Sequence, residues 1–576
     1  MTPSTQQTTI LKWVKENDDN LIVEAVAGSG KTTTLDMIIR AISEGNKVLT
    51  LAFSKEIATA MEAKNFPKNV DVRTFHALGL NLLRTARTRV RVNGRKVENL
   101  FKYQVLGYDT KFKWKNPSDA KVFFEFKSCL CETVSHVKNR GLLNEQEIVD
   151  NLQDILTQYQ IDIPELSEFY KDGDSEAFFQ DTVLELWNMS NASPQTVDFD
   201  DMIYLPLVED LLFPVWDIVL VDEAQDLNKA QRMFLRKLLG GSIHTKEEHN
   251  SPVLPWIPTQ KRTIVVGDTA QAIYGFRGAS LDSMRKFSSE FSCIELPLSV
   301  CYRCDTEIVK EAKKYVEEIS ARGDASLGAI TEMPYAFVSR EAKVGDAILC
   351  RFNAPLLDLA FLFWSKEQDI VLTNLRLKDT LLKELSWMKE RHSKFTPDHL
   401  EQYIKGKVDK LEVQKKKWAL ANFRNLASCL RVIQKWADTY EEAEIKLEEL
   451  FDKKRKNGII LSTIHKAKGL EWDRVFILPE RADGQTQEEK NLLYVAITRA
   501  RHQLFYVGKE SGVVEFIPSN VKTPVLVEEM DRIKKETLDG ALLPEIHRTR
   551  TNNKLERKFE KGEISMQEKI RRCFNK

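Results

Sequence analysis

The amino-acid sequence predicts an α/β protein with two parallel-sheet domains, each interrupted by a mainly helical insertion. Short runs of β-branched and other apolar residues alternate with helical patterns, as strands and helices do around a parallel sheet. A glycine-rich loop directly follows the first of these runs. Two long stretches with helical periodicity then divide the strand patterns into groups, which predicts an insertion in each domain.

Composition sets the broad class of the protein. The chain has 576 residues, of which 42% are hydrophobic, enough for several domains with their own cores. Its 85 Lys and Arg residues balance its 85 Asp and Glu residues, so a polyanion site has to come from local clustering of charge. The eight cysteines are typical of reduced thiols in a large intracellular protein. We recognise neither a secretory signal nor a membrane span, and we predict a cytoplasmic protein.

A candidate phosphate-binding loop lies between the strand pattern at residues 21–26 and a helix pattern. Its residues are Ala27, Gly28, Ser29, Gly30, Lys31, Thr32 and Thr33. Glycines let the backbone wrap the phosphates, and the N–H groups at the helix amino end add positive potential. Lys31 is expected to reach the β- and γ-phosphates, and Thr32 to ligate Mg²⁺. Ala25 replaces the first glycine of the usual pattern, which fits a position that needs a small residue rather than a positive φ.

Two adjacent carboxylates, Asp222 and Glu223, end the apolar run at residues 215–221. Loops at the carboxyl ends of parallel strands are where ligands bind. We predict that Asp222 holds Mg²⁺, directly or through water, and that Glu223 polarises an attacking water. An isolated Asp-Glu pair is more often solvated surface, so this prediction depends on the other motifs.

Further strand patterns divide the chain. They lie at residues 48–53, 70–79, 198–202 and 263–268 for the first sheet, and at 347–351, 458–463, 474–478 and 502–507 for the second. We therefore predict a first domain at 1–84 and 198–293, a first insertion at 85–197, a second domain at 294–374 and 456–520, a second insertion at 375–455 and a charged tail at 521–576.

The first insertion begins with a basic, aromatic stretch. Residues 84–115 contain ten basic and two acidic residues, with five aromatic residues among them. This mixture is typical of a nucleic-acid surface, which neutralises phosphates and stacks bases. The alternative is a solvated basic face over a small aromatic core.

Taken in order, the motifs resemble those of the UvrD/Rep/PcrA-like superfamily 1 DNA helicases, over roughly residues 5 to 510. The most specific match is the run from Gly267 to Ala279. The other main matches are residues 25–32, 52–55, 74–79, 198–201, 221–228, 302–303, 462–472 and 493–500. The resemblance implies two RecA-like motor domains of the P-loop NTPase class, the cofactors ATP and Mg²⁺, and DNA unwinding with 3′ to 5′ polarity.

The resemblance also implies an ATP site shared by the two domains. By this likeness Gln7 reads adenine, Tyr302 packs on it, and Glu471 recognises the ribose. The residues implied for catalysis are Lys31, Asp222, Glu223, Gln271, Arg303 and Arg499. Phosphoryl transfer needs positive charge around the γ-phosphate, and here it would come from both sheets. ATP would therefore hold the two domains together.

For DNA the resemblance implies contacts from both domains. The expected residues are Phe53, Ser54, Lys55, Thr74, Phe75, His76, Tyr274, Phe276, Arg277, Thr463 and His465. Among them, Tyr274 and Phe276 are implied to stack on bases. The implied partners are single-stranded DNA and junctions between single- and double-stranded DNA.

Some interpretations stay open. The second insertion, about 80 residues long, is shorter than its counterpart in the large bacterial members, and the tail is basic. Both favour an alternative: a DNA-stimulated ATPase subunit of a nuclease or repair or defence complex, bound to its partner through the insertion or the tail. Only 75 residues follow Arg501, so we expect no nuclease domain there. Cys301 and Cys304 have redox or zinc spacing, but without a second such pair we favour small buried residues beside Arg303.

Overall fold

The computed structural model describes residues 2–42, 44–105, 117–159, 161, 163–164, 175–193, 195–241, 261–273, 283–390, 392, 394–413, 417–451, 457–478 and 486–508. The strands, in chain order, are β1 (Leu21–Ala25), β2 (Val48–Ala52), β3 (Val70–Thr74), β4 (Arg91–Val92), β5 (Thr196–Val197), β6 (Ile218–Val221), β7 (Arg262–Gly267), β8 (Ile294–Leu298), β9 (Val300–Cys301), β10 (Ser320–Ala321), β11 (Ala329–Pro334), β12 (Ala347–Cys350), β13 (Ile370–Leu372), β14 (Ile459–Thr463), β15 (Trp472–Ile477) and β16 (Ala500–Gly508).

The helices, again in chain order, are α1 (Thr5–Glu16), α2 (Lys31–Ile42), α3 (Lys55–Glu62), α4 (Phe75–Ala86), α5 (Lys96–Asn99), α6 (Pro117–Asn139), α7 (Glu145–Gln158), α8 (Ser175–Asn191), α9 (Asp201–Val208), α10 (Lys229–Leu238), α11 (Ser283–Phe291), α12 (Thr306–Ala312), α13 (Val338–Glu341), α14 (Asn353–Ser365), α15 (Leu375–Lys389), α16 (Pro397–Val413), α17 (Lys417–Trp436), α18 (Tyr440–Leu450), α19 (Ile464–Ala467) and α20 (Gln487–Ile497).

The first sheet has the strand order β3-β2-β6-β7-β1-β8, and every neighbouring pair is parallel. Its side chains alternate between two apolar cores, as the pleat of a strand requires. Val23 and Leu220 face the core shared with α1 and α2, while Ile22 and Val221 face the core shared with α4, α10 and α11. We call this sheet and the helices packed on it the first lobe.

The end of the first lobe differs from the predicted boundary at residue 293. Strand β8 pairs with β1 and closes the first sheet, so this sheet extends to Leu298. The pattern was misleading because β8 is an edge strand with partly exposed side chains, and Ile294 is 45% exposed. Such a strand lacks the continuous apolar run by which buried strands are recognised.

The prediction that the sheet pattern resumes at residues 198–202 is wrong. Strand β5 ends at Val197, and α9 begins at Asp201. The carboxylate of Asp198 accepts a hydrogen bond from the Asp201 backbone N–H at 2.8 Å, and the Asp201 carboxylate accepts one from the Asp198 backbone N–H at 3.0 Å. These bonds satisfy backbone donors at the start of a helix, which a strand would have used in its ladder.

The second sheet has the strand order β11-β16-β15-β12-β14-β13, and its neighbouring strands are also parallel. Strand β11 was not predicted, because half of its side chains are exposed, none is fully buried and it lacks a buried apolar pattern. One face of the sheet packs on α12, α19 and α20. The other packs on α14, and that core continues into α15–α18 of the second insertion. We call this sheet and the helices packed on it, apart from α15–α18, the second lobe.

The first insertion folds around its own apolar core, which α5–α8 provide. Among its described residues, part of the basic stretch lies at the surface and part lies in the interior. Arg84, Arg89, Arg91 and Arg95 are exposed, as a nucleic-acid surface requires. Lys96, however, is 2% exposed and Phe101 is fully buried, so these two belong to the interior. Residues 106–116, which include Tyr108, Phe112, Trp114 and three lysines of the stretch, and the whole tail lie outside the described residues.

Candidate functional site

Three of the predicted motifs meet at the carboxyl edge of the first sheet. Strands β6, β7 and β1 are neighbours, and they are followed by the acid pair, by Asp268 and by the phosphate loop. Because these strands run parallel, their carboxyl ends lie side by side. The motifs are distant in sequence and adjacent in space.

The phosphate loop has the backbone that its glycines predict. Gly28 has φ +69° and Gly30 has φ +82°, values that only glycine adopts at low cost. A side chain at Gly28 would also clash, because its Cβ would lie 2.6 Å from the Arg303 Cβ and 2.9 Å from the Cys301 Sγ. Ala25 is the last residue of β1 and has no positive φ, as predicted from its replacement of glycine.

The acid pair follows β6 directly. Asp222 is 2% exposed, and its Oδ1 accepts a hydrogen bond from the Glu223 backbone N–H at 2.9 Å. Glu223 has φ +53°, a left-handed conformation that is uncommon for a residue with a side chain. Strain of this kind clusters at functional sites, where it aims a side chain that regular structure would direct elsewhere.

The two carboxyl groups differ in acidity. Burial, and then the negative charge of Glu223, raises the pKa of Asp222 to about 7. Burial also opposes ionisation of Glu223, but the positive charges of Lys31 and Lys468 outweigh it, so the pKa of Glu223 lies below its ordinary value. The positive charges of Lys31 and Lys468 therefore favour the ionised form of Glu223, while burial beside that negative charge disfavours ionisation of Asp222.

Hydrogen bonds tie the acid pair to the motif after β7. The Gln225 amide donates to the Glu223 carboxylate, and its Oε1 accepts from the Asp268 backbone N–H at 3.0 Å. The Asp268 carboxylate in turn accepts from the Gln271 amide and lies 3.9 Å from the Lys31 Nζ. Sequence reasoning missed Gln225 and Asp268. Both stand inside recognised motifs, but their side-chain directions could not be inferred from spacing.

The second lobe completes this site with a buried arginine. Arg499 is 1% exposed, and its guanidinium donates to the main-chain oxygens of Val495 at 2.9 Å and Leu470 at 3.0 Å. Its Nη2 lies 3.5 Å from the Gln271 Oε1 of the first lobe. Burial, and then the charge of Arg303, lowers the pKa of Arg499 to about 10, so the group stays positive at neutral pH.

Further contacts between the lobes come from residues that were not singled out in the sequence. The Lys468 Nζ lies 2.7 Å from the Asp226 Oδ2 and donates to the Gln271 main-chain oxygen at 2.7 Å. The Tyr494 hydroxyl accepts a hydrogen bond from the Ala27 backbone N–H at 2.8 Å. These bonds join the second lobe to the phosphate loop, to the acid motif (residues 221–228) and to Gln271, which follows β7.

Arg303 and Glu471, two predicted nucleotide contacts, are paired with each other. The Arg303 guanidinium contacts the Glu471 carboxylate and donates to the Thr498 main-chain oxygen at 3.1 Å. Glu471 also accepts from Arg501. Tyr302 is 41% exposed, and its backbone N–H donates to the Gly28 main-chain oxygen at 2.8 Å. Tyr302 and Arg303 therefore lie against the phosphate loop at Gly28, whereas Glu471 is linked to it through Arg303.

Gln7 lies against the other side of the loop. It is 6% exposed, and its Nε2 donates to the Thr34 Oγ1 at 3.0 Å. Its Oε1 accepts from the Ser4 backbone N–H at 2.9 Å, which completes a capping box at the start of α1. The predicted adenine-reading glutamine is thus held beside the helix that follows the phosphate loop.

The cysteine pair before α12 is buried, as we favoured, with Cys301 fully buried and Cys304 1% exposed. The Cys304 backbone N–H donates to the Cys301 Sγ at 3.4 Å. None of the seven cysteines in the described part of the chain forms a disulfide bond, and within that part no group of three or more His, Cys, Asp or Glu side chains could hold a metal ion. Of the helices described, none is long and apolar enough to cross a membrane.

The residues predicted to contact DNA begin at the ends of β2 and β3, beside the nucleotide motifs. Ser54 and Thr74 cap α3 and α4, accepting from backbone N–H groups at 3.3 Å and 3.1 Å. Lys55 is exposed, while Phe53 and His76 are partly buried. Phe75 requires a correction. Its ring is 1% exposed and packs on Phe234 in the core, because the first turn of α4 directs it inward, so it is not available to DNA.

In the second lobe, Thr463 and His465 lie at the end of β14. Thr463 is 8% exposed and His465 is partly buried. Tyr274, Phe276 and Arg277 lie outside the described residues. A further aromatic residue was missed in the sequence: Phe199 is 60% exposed and stands over Gly94 of the first insertion.

The residues at this site fit a nucleotide with its magnesium ion. Mg²⁺ prefers oxygen ligands, and Asp222 and the exposed Thr32 side chain supply them at the carboxyl edge of the sheet. Asp222 is a buried carboxylate whose raised pKa marks a group that a cation would stabilise. Lys31 and Arg499 provide the positive charge that a polyphosphate requires.

Comparison with known proteins agrees with this geometry. The sequence profile of the UvrD/REP helicase N-terminal domain matches residues 5–292, and that of the UvrD-like helicase C-terminal domain matches residues 375–510. The chain belongs to the UvrD/Rep family of ATP-driven DNA helicases. The resemblance read from the motifs is confirmed, and the two parallel sheets agree with two RecA-like domains.

Curated relatives of this helicase are distant. DNA helicase IV of Escherichia coli is 23% identical over 563 residues, which cover 89% of the chain and 70% of the relative. The ATP-dependent DNA helicase UvrD1 of Mycobacterium leprae is 25% identical over 337 residues, 53% of the chain and 39% of the relative. PcrA of Leuconostoc citreum is 24% identical over 335 residues, 54% of the chain and 38% of the relative. The aligned part thus spans well under half of these last two relatives.

Proposed function

We propose that this helicase hydrolyses ATP to move along single-stranded DNA in the 3′ to 5′ direction and to separate the strands of a duplex ahead of it. One observation carries the proposal: Lys468 of the second lobe contacts both Asp226 and the Gln271 main chain of the first lobe. A nucleotide site that two lobes complete together makes hydrolysis depend on their relative position. The polarity is supported by the family resemblance alone.

Positive groups from both lobes would act on the phosphates. We assign Lys31 and the loop N–H groups of Gly28 to Thr33 to the β- and γ-phosphates, where their charge is fixed before the reaction begins. Arg303 and Arg499 would offset the negative charge that develops on the transferred group. The buried position of Arg499 strengthens this effect, because little water screens its charge.

Asp222 and Glu223 would have different roles, because their pKa values are shifted in opposite directions. We propose that Asp222 and Thr32 hold Mg²⁺, which neutralises phosphate charge when it is bound. Glu223, ionised and fixed by the Gln225 amide, would orient and polarise the attacking water. Gln271 would couple the presence of the γ-phosphate to the residues that contact DNA.

The remaining nucleotide contacts need a rearrangement. We assign Gln7 and Tyr302 to adenine, and Glu471 to the ribose. Because Arg303 and Arg501 both bind the Glu471 carboxylate, ribose recognition would require Glu471 to exchange one of these partners. The exchange would leave Arg303 free to turn toward the phosphates.

The DNA path would run across both lobes. We assign phosphate and base contacts to Phe53, Ser54, Lys55, Thr74 and His76 in the first lobe. Tyr274, Phe276 and Arg277, together with Thr463 and His465, would add contacts near the lobe boundary. The exposed ring of Phe199 is a further candidate for base stacking. Alternate release and binding of bases by the two lobes would move the protein along one strand.

Strand displacement tests the proposal. Duplexes with a 3′ tail or a 5′ tail are incubated with the protein, ATP and Mg²⁺, and the released strand is measured. We expect release from the 3′-tailed duplex, with Lys31→Ala as the inactive control. DNA-stimulated hydrolysis without release from either duplex would instead favour the motor subunit of a nuclease or of a repair or defence complex. We propose action on cytoplasmic DNA in repair, replication or recombination.

A further inference from the structure

A chain of polar contacts leaves the nucleotide site and enters the first insertion. The Asn228 Nδ2 donates a hydrogen bond to the Asn139 Oδ1 at 2.7 Å. The Asn139 Nδ2 donates to the Asp200 Oδ1 at 3.1 Å. The Ser135 hydroxyl donates to the Asp200 Oδ2 at 2.6 Å. The contacts thus join the start of α10, the end of α6 and the segment before α9.

The first end of this chain is fixed to the acid motif. Asn228 follows Asp226, the partner of Lys468, by two residues. It caps α10, since its Oδ1 accepts from the Gln231 backbone N–H at 2.9 Å and its own backbone N–H donates to the Gln231 Oε1 at 2.9 Å. With its oxygen held by the cap, the Asn228 side chain can offer only its nitrogen to α6. A shift of the acid motif therefore changes a contact to the insertion.

The other end is fixed by a buried charge cluster. Lys138, the neighbour of Asn139, lies 2.7 Å from both the Asp198 Oδ2 and the Asp201 Oδ1. Lys96 lies 2.6 Å from the Asp201 Oδ2. All four charged groups are less than 9% exposed, and breaking such a pair leaves an uncompensated buried charge. The segment at 198–201 therefore moves with α5 and α6.

Asp200 lies next to Phe199, whose exposed ring is a candidate for base stacking, and it directly precedes α9. Helix α9 packs so closely on α4 that a Cβ at Gly79 would lie 1.7 Å from the Met202 main-chain oxygen. The charge of Asp200 acts on His76, whose pKa is nevertheless lowered because burial outweighs it. His76 lies in the first turn of α4, the helix to which we assign DNA contacts. The polar chain thus passes from the acid motif, through the insertion, to a group beside the proposed DNA path.

We propose that Asn228, Asn139 and Asp200 are positioning residues that couple the nucleotide site to DNA binding through the first insertion. The inference rests on the proposed function, since it requires DNA-stimulated hydrolysis of ATP. None of the three residues touches a reacting atom. Their effect is a coupling free energy between two sites, which has to be measured as such.

Asn228→Asp breaks the chain selectively. An aspartate oxygen still accepts from the Gln231 backbone N–H and keeps the cap of α10. Its second oxygen, however, would face the Asn139 Oδ1, and the two acceptors repel. Asn139 cannot compensate by turning its amide, because its nitrogen is used by Asp200 and by the Ser135 main-chain oxygen.

Asn144→Asp is the matched control. Asn144 caps α7, and its Nδ2 donates to the Glu147 Oε1 at 2.6 Å within the same helix region. The control therefore adds the same charge and removes one amide donor at another helix start, without touching the polar chain. Asn139→Ala serves as a second test variant that adds no charge.

The experiment measures the affinity for a single-stranded oligonucleotide with and without a non-hydrolysable ATP analogue, together with kcat and KM for ATP with and without DNA. We expect Asn228→Asp and Asn139→Ala to reduce the analogue's effect on DNA affinity at least threefold and to lower DNA-stimulated kcat by a similar factor. The KM for ATP and the basal rate should stay within about twofold of the parent. Asn144→Asp should behave as the parent does.

Three results would overturn the inference. Parent-like coupling in both test variants would show that these polar contacts stabilise the fold without linking the two sites. An equal loss in Asn144→Asp would assign the effect to added charge. An equal DNA affinity of the parent protein with and without the analogue would show that the nucleotide site and the DNA site are not coupled. Absence of DNA-stimulated hydrolysis in the parent is a separate outcome, which overturns the proposed function itself and the inference with it.

Discussion

The Lys468 ammonium group of the second lobe lies 2.7 Å from the Asp226 Oδ2 and 2.9 Å from its Oδ1 in the first lobe. Both side chains are buried. Burial raises the pKa of Asp226 to about 6, although the charge of Lys468 opposes that rise. At neutral pH the two groups form an ion pair across the lobe boundary, three residues beyond the acid pair.

Lys468→Met should impair closure of the lobes, because Asp226 would then remain buried without its counter-charge. We expect the DNA-stimulated kcat to fall about tenfold, equivalent to about 1.4 kcal/mol. The control is Lys407→Met, which breaks the 2.6 Å ion pair with Glu384 inside the second insertion. Steady-state ATPase assays at saturating DNA compare them. Equal losses in both variants would argue against a role specific to the lobe boundary.

Gly28→Ala should abolish nucleotide binding for a steric reason. The added Cβ would lie 2.6 Å from the Arg303 Cβ, so either the loop or the arginine has to move. Gly45→Ala is the control, because Gly45 also has a positive φ, +77°, but its Cβ would meet nothing within 4 Å. Both variants carry backbone strain of roughly 1–2 kcal/mol. Equilibrium binding of a fluorescent ATP analogue should be lost only in Gly28→Ala, and normal binding there would contradict the close contact.

Glu185 of α8 gives the fold a pH dependence. Burial raises its pKa to about 7, and its Oε2 has no hydrogen-bond partner among the described residues. The folded state therefore holds the proton more tightly than the unfolded state, in which the carboxyl has its ordinary value of 4.5. The contribution of Glu185 to stability is full below pH 4.5 and is lost as the pH rises through about 7.

Glu185→Gln should therefore raise the free energy of unfolding at pH 8 by on the order of 1–2 kcal/mol, after allowance for partial exposure of the group. At pH 5 most of the gain should be lost, since Glu185 is then neutral in the folded state and only its ionisation in the unfolded state still contributes. Chemical unfolding at the two pH values measures this, with Glu318→Gln as an exposed control. A gain of equal size at both pH values would exclude ionisation as the cause.

The sequence predicted the parts of the site that depend on local pattern. The phosphate loop needs glycine at positive φ, and the acid pair ends a buried strand, so Lys31, Asp222 and Glu223 could be found from residue types alone. Arg303 and Arg499 required the family resemblance. The Lys468 and Tyr494 contacts could not be predicted, because they depend on how the two lobes approach each other.

The errors have physical causes of the same kind. Strand β8 is an edge strand whose side chains are mostly exposed. Its sequence therefore lacks the apolar run that would have indicated its pairing with β1. Residues 198–202 begin a helix because Asp198 and Asp201 bind each other's backbone N–H groups. Phe75 follows a strand as a DNA contact would, but the direction of α4 turns it into the core. In each case tertiary packing decided what a short pattern left open.

The most direct test of a nucleotide site shared by two lobes is single-turnover hydrolysis of ATP by Arg499→Lys. Lysine keeps the charge but loses the planar fork that bonds Val495 and Leu470 and reaches toward Gln271. We predict that ATP binds with an affinity within about threefold of the parent, while hydrolysis slows by at least about 100-fold. Hydrolysis at the parent rate, in a variant that unfolds at the parent temperature, would contradict the assignment of the second lobe to catalysis.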